Sequence, residues 1–184
     1  SVDLFEALKE FDLTGPAAAK PDEGEIAVCP SQRSAMVYVL VPEARDQLIP
    51  RLLEACLATE GVDLAMHRED GVAVILGEAG MLSFSPGEEV RDVRGGSWVV
   101  RGNLKVLDAR IEDGVFRSEA YPDALARVWA ALDCPTSGDV LLSAEPGQEF
   151  LDWGGAHHVG GGSHGSLHRS DSHGALIMTG LDMG

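Results

Sequence analysis

The sequence predicts an α/β protein in two parts: an α+β module with an antiparallel sheet, followed by the C-terminal edge of a doubly wound sheet. Three observations predict it. Short β-branched runs separated by Gly-containing turns crowd residues 62–102, as in an antiparallel meander. A strand-length apolar run at 35–41 is followed by residues at helical spacing, so a strand and a helix precede that meander. After Tyr121 the order becomes helix, wholly apolar strand, long loop and apolar strand, which is how an open α/β sheet reads where ligands sit beyond its strand ends.

Taken in order, residues 2–11 form a short helix with Leu4, Phe5, Leu8 and Phe11 on one side. GPAAAKPDEGE at 15–25 has the Pro, Gly and Ala content of a connector, which places a boundary near Ala27 and makes 1–26 a helix and linker. AMVYVLV at 35–41 is a strand ended by Pro42. Leu48, Leu52, Leu53, Cys56 and Leu57 give 43–59 one apolar face, with Pro50 kinking this helix or marking its first turn. VDLAMHRE, VAVILG and MLSFSP are strands punctuated by EDG and EAG, and SWVVRG and LKVLDARIE add extended segments. Residues 27–117 thus form the α+β module, and 118–184 the α/β part. In the latter, Pro122 opens a helix to Leu132 with Leu125, Val128, Trp129 and Leu132 as its buried stripe. DVLLSA at 139–144 and ALIMTG at 175–180 are its strands.

The net charge of −16 over 184 residues argues against a nucleic-acid polymer or an anionic membrane surface as partner. No run approaches the roughly 18 apolar residues of a membrane span, and no cationic start precedes an apolar run as in a signal peptide. Cys29, Cys56 and Cys134 are sparse, odd in number and outside any CxxC pair, as unpaired thiols of a reducing, cytoplasmic compartment would be.

GAHHVGGGSHGSLHRSDSHG at 155–174 holds five of the six histidines among six glycines. Three readings compete for His157, His158, His164, His168 and His173. Glycines let a backbone bend tightly enough to bring imidazoles to a metal at ligand distances near 2 Å. The same glycines expose N–H groups to an anion, with Arg169, Ser163 and Ser166 as further donors. The third reading is a surface loop of small residues anchored by Trp153 and Val159. His164 and His168 would share a helix face, but the glycines disfavour a helix, and neither HExxH nor a nearby cysteine completes a zinc motif.

SHGSLHRSDSHGALIMTG resembles the C-terminal signature of the alkaline phosphatase superfamily, in its type I phosphodiesterase and nucleotide pyrophosphatase branch. There a G-x-H-G turn supplies a late histidine to one of two catalytic metals, and an apolar strand ending in glycine follows. The matching residues are Gly162, Ser163, His164 and Gly165, then 175–180. The resemblance implies that His164 is a metal ligand and that 118–184 belongs to an alkaline-phosphatase-like sheet, with 27–117 as a cap-like insert.

The family also uses an early Thr or Ser nucleophile and a later D-H-G motif. No Asp-His-Gly occurs here, and none of Thr14, Thr59, Thr136 or Thr179 lies in a strand-to-helix turn. Together with the abrupt helical start at Val2, this leads us to expect the C-terminal portion of a metal-dependent phosphohydrolase, inactive alone, with zinc or manganese in a two-metal site. Its N-terminal catalytic half would be the partner and a small phosphate ester the substrate. His158 is a weaker candidate ligand, and His168, Arg169 and Asp171 are candidate second-layer or phosphate-contacting groups, Arg169 and Asp171 being alternatively a solvated pair. His157 is expected to point away from His158 in an extended backbone, His173 to be structural, His67 to have no functional role and Trp153 to anchor the loop, with Asp152 beside it as a candidate pocket wall. The contrasting expectation is a self-contained acidic α+β interaction domain whose histidine loop docks a partner, and a third is a histidine-rich metal buffer.

Overall fold

A computed structural model describes residues 1–14, 24–152 and 162–172, together with 174 and 179. The expected strand at 175–180 and His157, His158, Trp153 and His173 lie outside the described residues, apart from Thr179 itself.

The chain opens with α1 (Leu4–Ala7), capped by the Asp3 carboxylate, which accepts from the N–H groups of Phe5 and Glu6 at 3.0 Å. The two-residue strand β1 (Leu13–Thr14) leads to β2 (Ile26–Ser31) and β3 (Ser34–Val39). A 3-10 turn at Pro42–Ala44 runs into α2 (Arg45–Leu57). The meander is β4 (Val62–Glu69), β5 (Val72–Gly77), β6 (Gly80–Arg91) and β7 (Ser97–Gly102), followed by the short β8 (Ala109–Glu112) and β9 (Val115–Ser118). Then come α3 (Ala124–Leu132), β10 (Val140–Ala144) and a 3-10 turn at Arg169–Asp171. Pro50 stays inside α2, where Leu48, Ile49, Leu52, Leu53 and Cys56 are buried and hold the helix together despite the missing N–H.

Among the described residues ten strands join one sheet, in the order β1-β2-β3-β10-β4-β5-β6-β9-β8, with β7 paired to β6. Pairing is antiparallel except between β1 and β2 and at the single β6–β9 contact. The fold is therefore α/β with a mixed, mostly antiparallel open sheet.

This departs from the expected doubly wound edge in one instructive way. β10 lies in the middle of the sheet, antiparallel to β3 and to β4, with Leu142 opposite both Ala35 and Ala65. One sheet thus crosses the boundary expected at residue 117. The uninterrupted apolar run of β10 records burial on both faces, a condition that a central antiparallel strand meets as fully as a parallel one.

Alternate residues of β10 feed two cores. Val140, Leu142 and Ala144 join Ile26, Val28, Val37 and the buried face of α2 on one side. Leu141 joins Met66, Ile75, Phe84 and the buried face of α3 on the other. On that second face Phe84, Trp98 and Trp129 form an aromatic cluster with centroids 5.5–6.4 Å apart. The turn from β6 to β7 is organised by Asp92, whose carboxylate accepts from Arg94 N–H (2.9 Å), Gly96 N–H (2.8 Å) and the Trp98 indole N–H (2.8 Å). Among the described residues no helix is long and apolar enough to cross a membrane.

Candidate functional site

The turn between β2 and β3 is where the glycine-histidine segment meets the sheet. Gln32 takes a left-handed conformation there (φ 57°) and turns the chain back into β3. The His164 N–H donates to the Gln32 side-chain Oε1 at 3.0 Å, and the His164 carbonyl accepts from the Arg33 N–H at 3.1 Å. His164 is thereby fastened through its backbone on both sides while the residue itself stays exposed. Gly165 follows at φ 112°, and a β-carbon there would press on Ser34 Oγ at 3.1 Å, so the turn favours glycine on both conformational and steric grounds.

Beyond Gly165 the segment turns inward. Ser166 is buried, and Leu167 packs into the core beneath α3, its N–H donating to Ser143 Oγ of β10 at 3.0 Å. Asp171 folds back to accept the Ser166 N–H at 2.8 Å and pairs with the Arg33 guanidinium. That pair is enclosed, with side chains only 9% and 2% exposed. Burial pushes the Asp171 carboxyl up, but hydrogen bonds from Ser166 and Ser170 and the charge of Arg33 outweigh it and hold the group below its ordinary value. Asp171 is therefore neither a solvated partner of Arg169 nor open to a substrate: it closes the turn from within. Arg169 is exposed, and its backbone N–H donates to the Ala120 carbonyl at 2.7 Å.

His168 caps the short 3-10 turn. Its Nδ1 accepts from the Ser170 N–H at 3.2 Å. The ring stands edge-on to Tyr121, with centroids 5.7 Å apart. Tyr121 in turn donates its hydroxyl to the Asp63 carboxylate at 2.9 and 3.1 Å. Burial pushes the Asp63 carboxyl above its ordinary value, and the Tyr121 hydrogen bond only partly opposes this. His67 is buried on β4, where burial pushes its pKa below the ordinary value.

Two residues that the sequence reading passed over do most of the holding. Arg127 of α3 donates to the carbonyls of Pro122 (3.1 Å), Leu167 (2.9 Å) and Ser166 (3.3 Å) and to Ser172 Oγ (2.8 Å). Arg33 does the equivalent work from the hairpin side. The only local sign of Arg33 is a lone cation in the small polar turn SQRS, and its acidic partner lies 138 residues away. A groove of about 350 Å³ opens beside the turn, walled by Met36, Met66, Val128, Leu141, Gly165 and Leu167 among others.

Among the described residues no three His, Cys, Asp or Glu side chains converge as a metal site around His164 or His168. Compared with protein-family models, curated proteins and solved structures, the chain finds no match.

Proposed function

We propose that this chain supplies one imidazole ligand, His164, to the divalent-metal centre of a phosphohydrolase of the phosphodiesterase and nucleotide pyrophosphatase type. The nucleophile and the remaining ligands lie on another stretch of polypeptide. The observation that carries this reading is the treatment of His164: backbone hydrogen bonds fix it on both sides, yet nothing buries it. A histidine recruited for packing would be enclosed, as His67 is.

Zinc or manganese suits an imidazole donor. When bound, a metal pair supplies stabilisation of the attacking and leaving oxygens of a small phosphate ester. This chain's share is to present the ring, and no step of the reaction runs on its own described residues. The acidic surface supports a small-molecule substrate over a nucleic-acid polymer or a membrane. Its free cysteines support a cytoplasmic setting.

Paramagnetic Mn²⁺ titrated into the whole chain tests the ligand role. The C2–H resonance of His164, assigned by its loss in His164→Asn, is expected to broaden at millimolar metal, and hydrolysis of bis-p-nitrophenyl phosphate is expected to be absent. A His164 resonance untouched by metal would remove the ligand role. Sustained metal-dependent turnover by this chain would overturn the shared centre.

A second reading has its own observation. β10 and α3 complete a sheet whose two faces are both covered by this chain, which supports a self-contained acidic interaction domain. Cooperative folding without any metal response at His164 would favour it.

A further inference from the structure

We infer that Arg33 is the positioning residue of His164, fixing the imidazole relative to the central strand of the sheet; this rests on the reading of His164 as a ligand. Two routes join the residues. In the first, the Arg33 N–H donates to the His164 carbonyl at 3.1 Å, while the Arg33 carbonyl accepts from the Ala144 N–H at 3.0 Å at the end of β10. His164 is thus one residue removed from the strand that both cores grip.

The second route runs through the side chain. The guanidinium pairs with Asp171, and the other carboxylate oxygen of Asp171 accepts from the N–H of Ser166, two residues past His164. Moving residues 164–166 means breaking one of these links.

The chemistry of the link calls for arginine. Its Nε donates to the Gln148 carbonyl at 3.1 Å and its Nη2 to the Glu145 carbonyl at 3.2 Å, while Nη1 meets Asp171. A planar fork serves three acceptors in three directions at once, and a lysine ammonium at the end of a flexible stem does not. Burying both charges costs desolvation that a buried pair commonly fails to recover as stability, whereas the fixed geometry of charge-assisted hydrogen bonds selects one arrangement of the chain. Arg33 and Asp171 therefore act on where His164 sits more than on whether the protein folds.

The test uses the full chain as Arg33→Lys and as the double variant Arg33→Met/Asp171→Leu, which removes both buried charges and keeps the protein folded if the lysine variant does not fold. Amide exchange at 164–167 is expected to accelerate about 10- to 100-fold, the loss of one or two charge-assisted hydrogen bonds. The His164 amide order parameter is expected to fall from about 0.85 toward 0.6. Exchange at Val37 and Ile75, in the two cores, should stay at the level set by global stability, which separates positioning from a general loss of structure. Unchanged exchange and order at 164–167 in a folded variant would overturn the inference, whatever the metal does. Mn²⁺ broadening of His164 in the unsubstituted chain reports separately on the ligand reading, because a single imidazole needs no fixed orientation to meet a free ion. Loosened residues 164–167 with broadening intact support both.

Discussion

Replacing Leu142 by alanine asks whether the sheet behaves as one unit across residue 117. Leu142 lies on the central strand and is 1% exposed. Its cross-strand neighbours, Ala35 and Ala65, carry no side-chain length that could swing into a vacated space. Removing three carbons forfeits about 2.4 kcal/mol of transfer energy at ~0.8 kcal/mol each. A cavity that small neighbours leave open adds about 1–2 kcal/mol at ~24 cal/mol per Å³. The expected loss of about 3.4–4.4 kcal/mol is a large share of the ~5–15 kcal/mol that usually holds a domain together.

Urea denaturation measures the loss, and amide exchange locates it. Exchange at Val28 reports the core beneath α2, where Leu142 packs, and exchange at Ile75 reports the opposite core beneath α3. Because alternate residues of β10 enter both cores, both amides should lose the same protection, with an unchanged denaturant slope. A loss below about 1 kcal/mol would refute the packing reasoning. Undiminished protection at Ile75 beside a lowered value at Val28 would refute the single cooperative sheet.

Asp92→Ala strips the Trp98 indole and two backbone N–H groups of their acceptor and should cost about 2–4 kcal/mol in the same urea assay, while Asp92→Asn, which keeps an acceptor, should cost less. Burial raises the Asp92 carboxyl, but the Trp98 indole and the N–H groups of Gly96, Arg94 and Gly95 outweigh it and depress the folded value. Its contribution is accordingly full above the ordinary aspartate value of about 3.9 and fades as pH falls through the lower folded one. A stability gap between the unsubstituted protein and the Asp92→Asn variant that stays constant through that acid window would contradict this. Thiol labelling at pH 8 should titrate exposed Cys29 and Cys134 quickly, Cys134 first because the Thr136 hydroxyl and backbone N–H groups lower its pKa. Cys56, pushed up to about 12 by burial, should react only in denaturant, and three thiols of equal rate would show that α2 does not enclose it.

Local physics made much of this fold readable in advance. The alternation and turns of 62–102 became β4 to β7, and the stripe of Leu125, Val128 and Leu132 became the buried face of α3. β2 escaped because Pro30 reads as a breaker, yet in the sheet Pro30 pairs opposite Ala35 of β3. The place of β10 was not readable, since burial on both faces does not record which strands supply it. At the candidate site the glycines marked a tight bend beside His164, and Gly165 there takes a positive φ. The roles of Arg33 and Asp171 were not, because an ion pair spanning 138 residues leaves no local trace, and the acidic half alone looked like a surface neighbour of Arg169.

The central placement of β10 also dictates an order of events during synthesis. β3 and β4 are made more than 70 residues before the strand that joins them. Until 140–144 emerges, each carries a bare flank of N–H and C=O groups able to recruit a stray strand, from a neighbouring nascent chain included. The hairpin and the meander stay unjoined until a five-residue wedge arrives between them.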